Sequence, residues 1–134
     1  MRTLGVVVAQ FNRAVTEGME ASAAEAAEER GAEVGRTIPV PGVYDAPLAA
    51  DRLARQGDID AICVLGAVIE GDTEHDRVIT EASARSLSAV SIDRDTPITL
   101  GVTGPGMSSA EARERVDKGR EAVEGALSLL EELP

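Results

Sequence analysis

One histidine, one phenylalanine and one tyrosine make up the whole imidazole and aromatic inventory of this 134-residue chain, which has no tryptophan. His75 is the only side chain that ordinarily titrates near neutrality, and so the natural candidate for moving protons between reacting atoms. It follows Gly71, Asp72 and Thr73, where the sequence predicts a turn from a strand into a helix and where backbone N–H groups can hold an anion. A helix N-terminus disfavours an imidazolium, whereas Asp72, Glu74 and Asp76 favour it, and the sequence leaves the sign of the balance open. Those acids also complement a helix dipole, and a lone histidine at a helix start is commonly just solvated. Phe11 and Tyr44 both fall between predicted elements, so the core must be aliphatic. Two rings on the rim favour stacking on a flat ligand, with a subunit contact as the alternative. Cys63, inside AICVLG, reads as a buried, inert thiol. One cysteine and one histidine offer no disulfide framework and no metal site.

Charge narrows the partners. Thirteen basic residues against 24 acidic give a net charge of −11, and Lys118 is the only lysine. Such a surface repels nucleic acid. An acid excess almost without lysine matches proteins of a very salty cytoplasm, where screening shortens charge repulsion; an ordinary acidic protein is the alternative. No apolar run reaches the roughly 18 residues of a membrane span, and the apolar stretch in MRTLGVVVAQFN is too short for a signal peptide. The expectation is a soluble, cytoplasmic, one-core chain without a membrane partner.

The elements that must position these residues follow from the apolar pattern. TLGVVVA, EVGRTIPV, DAICVLGAVI and TPITLGVTG alternate with amphipathic stretches over 12–30, 46–56, 73–90 and 108–133. This βαβαβαβα order predicts an α/β fold, a three-layer α/β/α sandwich around four parallel strands covered on both faces. Asn12 is placed to cap the first helix, and Gly31 and Gly57 to end helices in a left-handed conformation. Ser108 and Glu111 have capping-box spacing, after which Ala112, Val116, Val123, Ala126, Leu127 and Leu130 share one helical face. Gly119 and Gly125 interrupt that helix and imply either close packing or an irregular helix. Ligands of open parallel sheets bind beyond the carboxyl ends of the strands. Those ends place Phe11 after strand one, Val43, Tyr44 and Asp45 after strand two, 66–75 after strand three, and 101–106 after strand four.

Four segments, QFN at 10–12, VPGVYDAPLAA at 40–50, LGAVIEGDTEHD at 65–76 and ERVDKG at 114–119, together resemble the signature segments of the lumazine synthase family. The likeness covers nearly the whole chain, in order and at matching spacing. VIEGDTEHD with GPGM at 104–107 is similar to the archaeal branch. The resemblance implies a flavodoxin-like sheet and the condensation of 5-amino-6-ribitylaminouracil with 3,4-dihydroxy-2-butanone 4-phosphate, without metal or organic cofactor. It implies that Phe11 stacks on the pyrimidine, and that Val43, Tyr44, Asp45 and the backbone of Ala67, Val68 and Ile69 bind its polar edges and ribityl chain. Asp72 and Thr73 would contact the butanone phosphate, Arg115 would neutralise it, and His75 would move protons. It also implies a homo-oligomer, a pentamer or a capsid of pentamers, with Leu100 and Arg115 of one chain completing the site of the next. The chain departs from the commoner bacterial pattern: Glu70 stands for an arginine, Tyr44-Asp45 for Phe-Glu and Leu100 for an aromatic, and the segment before Lys118 is shorter. That shortening makes Arg113 a competitor of Arg115. Two other readings share the topology: an archaeal-type riboflavin synthase paralogue, against which GDTEH speaks, and a non-enzymatic flavodoxin-like binding or shell protein.

Overall fold

A computed structural model describes residues 1–69 and 75–134. Four parallel strands, β1 (Thr3–Ala9), β2 (Glu33–Val40), β3 (Ala61–Ile69) and β4 (Ile98–Met107), lie in the order β2-β1-β3-β4. The helices are α1 (Arg13–Glu29), α2 (Ala46–Ala54), α3 (Asp76–Arg94), α4 (Ser109–Arg113) and α5 (Lys118–Glu132), and a 3₁₀ turn spans Val43–Asp45. This is the expected three-layer α/β/α, flavodoxin-like arrangement.

Period-two alternation in the central strands feeds two separate cores. Leu4, Val6 and Val8 of β1, with Cys63 and Leu65 of β3, pack with Met19, Ala23 and Ala26 of α1 and with Val123 and Ala126 of α5. Val7 of β1 and Ile62 and Val64 of β3 face the other way, toward Ala50 and Leu53 of α2 and Leu87 of α3. All nine residues of β3 are buried, as a continuous apolar run between two helical layers requires. β2 departs from that expectation: Glu33, Arg36 and Thr37 are exposed. It is an edge strand, where Pro39 costs no ladder hydrogen bond.

Three local readings are corrected. The stretch 66–69 is the end of β3 and not a loop, and 101–106 belongs to β4, because Ala67 pairs with Thr103 and Ile69 with Met107. Asn12 precedes α1 but makes no side-chain cap; its amide reaches across the sheet instead, as described below. The segment 108–133 is two helices. The capping box is there, with Glu111 N–H on Ser108 Oγ at 3.2 Å. The helix then tightens: Lys118 N–H bonds Arg115 O at 3.0 Å and Gly119 N–H bonds Val116 O at 3.2 Å, both three residues back. Ser22 of α1 also donates to Val116 O at 2.7 Å, and a Cβ on Gly18 would lie 2.8 Å from Val116 Cγ1. The break therefore seats Val116 on α1. All six residues of the expected apolar face still reach the core, and Gly119 resolves toward close packing: a Cβ there would run into Met19 O and lie 2.7 Å from Ser22 Oγ. Gly125 has only ordinary contact, with Thr99 Cγ2 at 3.6 Å. Gly31 and Gly57 have the expected positive φ, 70° and 68°.

Among the described residues no helix is long and apolar enough to cross a membrane, and no group of three or more His, Cys, Asp or Glu residues could hold a metal ion.

Candidate active site

The site is built where β1, β2 and β3 end together. Past their paired stretch, Gln10 N–H bonds Val40 O at 2.7 Å and Phe11 N–H bonds Pro41 O at 3.0 Å. These bonds carry Phe11 out beside the Pro41-Gly42 turn. Asn12 then adopts φ 64°, ψ 44°, a left-handed conformation that asparagine tolerates better than most residues. Its Nδ2 donates to Ala67 O at 2.8 Å, tying the loop after β1 to the end of β3.

The loop after β2 closes on itself. Gly42 N–H donates to Asp45 Oδ2 at 3.1 Å, and Asp45 N–H to Gly42 O at 3.0 Å. This exchange winds Val43–Asp45 into its 3₁₀ turn, with Val43 inward and Tyr44 and Asp45 exposed. Val43 fits because residue 66 is glycine: a Cβ there would lie 2.6 Å from Val43 Cγ2. From above, Ser83 of α3 donates Oγ–H to Val43 O at 3.0 Å.

Between these loops lies an apolar pocket of about 310 Å³, lined by Phe11, Pro41, Val43, Tyr44, Ala67, Val68 and Ile79, among others. That volume suits a small heterocycle. Phe11 is 56% and Tyr44 68% exposed, so both rings belong to the rim and not to the core. One structure element thus unites five of the expected residues, Phe11, Val43, Tyr44, Ala67 and Val68; Asp45 and Ile69 are their immediate neighbours in the chain. Ile79 is a lining residue that sequence reasoning missed, although its place one helical turn after His75 was a usable signal.

His75 stands at the head of α3 with an exposed side chain, and its carbonyl accepts Ile79 N–H at 2.9 Å. Since Ile79 lines the pocket, the end of α3 that carries His75 borders it. Asp72 and Thr73, expected at the phosphate, lie outside the described residues, as do Glu70, Gly71 and Glu74.

Two expected residues lie elsewhere in the single chain. Leu100, 40% exposed on the outer strand β4, lines a groove with Leu87, Ile92 and Ile98. Arg115 lines a third, more polar cavity of about 390 Å³ together with Thr103, Met107, Lys118, Glu114 and Glu121. Arg115 is in the turn between α4 and α5, and Arg113 closes α4 outside that lining. Glu114, Asp117 and Glu121 share that lining with Arg115 and Lys118, and Lys118 pairs with Glu121 at 3.7 Å.

Outside these cavities, charged groups act as braces. Arg94 and Arg55 lie 2.8 and 2.7 Å from the Asp51 carboxylate; the hydrogen bond from Arg94 is the chief cause that holds it below the usual carboxylate range. Arg120 does the same for Glu29 across α1 and α5, first by hydrogen bonding and then by charge. Cys63 is buried, and burial pushes its thiol up to about 11, which makes it the unreactive thiol expected.

With that geometry in hand, comparison with known proteins is specific. The family model described as 6,7-dimethyl-8-ribityllumazine synthase matches residues 2–133. A protein of that name from Halobacterium salinarum is 62% identical over 99% of this chain and 100% of its own length. One from Halorubrum lacusprofundi is 59% identical over 99% of each chain. One from Methanocaldococcus jannaschii is 47% identical over 99% of this chain and 94% of its own.

Proposed function

The chain belongs to the 6,7-dimethyl-8-ribityllumazine synthase family, and on that premise we propose how its residues carry the reaction of riboflavin biosynthesis. It is a transferase that condenses 5-amino-6-ribitylaminouracil with 3,4-dihydroxy-2-butanone 4-phosphate, releasing phosphate and water. The observation that carries the assignment of roles is the apolar pocket flanked by the chain's only two aromatic rings at the carboxyl end of a parallel sheet.

In this reading the pyrimidine lies against Phe11 over the floor of Ala67 and Val68. Tyr44, Asp45 and the backbone of 67–69 meet its polar edges and the ribityl chain, and a carbonyl already bonded, such as Ala67 O, keeps a second lone pair for a ligand donor. Asp72 and Thr73 contact the phosphate. His75, at the border of the pocket, passes protons as the amine attacks the ketone, water and phosphate leave, and the ring closes. No step calls on a cofactor.

The positive charge needed for the phosphate comes from a neighbouring copy. Leu100 and Arg115 line cavities separate from the Phe11 pocket within one chain, and the exposed Tyr44, Leu48, Val78 and Ile92 provide apolar surface for a subunit contact. A homo-oligomer, as a pentamer or a capsid of pentamers, unites the two halves in the cytoplasm. Mixing both substrates with the protein should yield the fluorescent lumazine and one phosphate per turnover, equally with and without a metal chelator. Activity lost to chelator and restored by metal would overturn the mechanism. Co-assembly of inactive His75→Asn and Arg115→Ala subunits should recover part of the activity; mixed oligomers no better than either parent would place Arg115 outside a shared site.

A further inference from the structure

Ser83 is 2% exposed and sits in mid-helix, where a serine hydroxyl commonly bonds back to the carbonyl four residues earlier. Here it leaves its own helix and donates to Val43 O, 40 residues away, at 3.0 Å. The acceptor does not depend on it, because Val43 O also receives Ala46 N–H. Loss of the hydroxyl would strand no buried carbonyl, so the bond is poorly explained as a satisfied core pair. It is better explained by what it holds. Val43 opens the turn that presents Tyr44 and Asp45, and α3 presents His75, Ile79 and Ser83 at successive four-residue steps along one face. A single helical stripe thus carries the candidate proton mover, a wall of the pocket and the clamp on the opposite rim.

We propose that Ser83 is a positioning residue that sets the Tyr44-Asp45 turn over the pyrimidine pocket by fixing the Val43 carbonyl to α3. The inference rests on the reading of that pocket as the pyrimidine site. The turn keeps its Gly42–Asp45 exchange and the seat of Val43 on Gly66 without Ser83, so the fold survives while the rim loses its registry with α3. Binding of the pyrimidine, which meets the rim, should suffer; the chemistry at His75 and the binding of the ketone phosphate should not.

The test uses the full-length wild-type protein, Ser83→Ala and Ser83→Cys in steady-state assays with each substrate varied in turn. Cysteine keeps the side-chain volume but is a weak donor. Both variants should raise KM for the pyrimidine about 3- to 10-fold, the equivalent of one hydrogen bond, with kcat at saturation and KM for the ketone phosphate unchanged. A KM for the pyrimidine equal to wild type in both variants would overturn the proposal, as would a lower kcat together with a rise in both KM values accompanying a lower Tm. A Cys variant like wild type beside an impaired Ala variant would reduce Ser83 to a space-filler and overturn it too. No lumazine from the wild-type protein would instead overturn the parent reading, whatever the variants do.

Discussion

On one side of the sheet α1 and α5 approach until Gly119 leaves no room for a Cβ against the Met19 backbone. On the other side α2 and α3 leave the Phe11–Tyr44 pocket open and Leu48, Val78 and Ile92 exposed. The same strands serve both sides, with alternate residues facing each. The difference lies in the helices: glycine and alanine bring α1 and α5 to backbone distance, while α2 and α3 turn larger apolar side chains, Leu48, Val78 and Ile92, outward. Close packing resists deformation, so the tight side can anchor the strand ends whose loops line the pocket on the looser side. Stability and chemistry should therefore be separable by mutation.

The largest effect should come from the open side. His75→Asn should lower kcat by about 10²–10⁴-fold if proton transfer limits the rate, while the pyrimidine Kd measured by titration stays near wild type. Weakened binding with an unchanged rate at saturation would remove His75 from proton transfer and blur the comparison. On the closed side, Gly119→Ala forces α1 and α5 apart and should cost about 1–3 kcal/mol in chemical unfolding, with the pyrimidine Kd of the folded protein unchanged. A binding defect as large as the loss of stability would show that the two sides are not independent.

A smaller, more diffuse effect concerns the charges that both sides share. A formal charge of −11 repels itself until screened, so Tm should climb from dilute buffer to molar salt, by about 4 °C for each kcal/mol of repulsion relieved. A flat curve would reject the salt-adapted reading. The smallest effect sharpens the picture of the closed side. Thr16 is fully buried there, and its hydroxyl finds no hydrogen-bond partner among the described residues. Thr16→Val removes an unpaired polar atom at nearly constant volume and should stabilise by up to about 1 kcal/mol. A clear loss of stability would mean that the hydroxyl has a partner after all.

Much of this was legible in the chain. The apolar runs 3–9 and 33–40 coincide with β1 and β2, the positive φ of Gly31 and Gly57 fell where helices had to stop, and the strand-end rule brought Phe11, Val43 and Tyr44 to one rim. These features are local: periodicity, turn chemistry and the side of the sheet on which a loop emerges depend on neighbours a few residues away. What only the tertiary structure decided depends on partners far along the chain. Asn12 looked like a cap and became a tie to Ala67, 55 residues on. Ser22 took the Val116 carbonyl, 94 residues away, where α4 gives way to α5. Pairing with β3 drew the apparent loop after strand four into β4. Leu100 and Arg115, grouped with the pocket by resemblance, lie in other cavities of the single chain. A sequence states which groups are available; contact between distant groups depends on how the helices seat on the sheet, and that is set by the whole packed core at once.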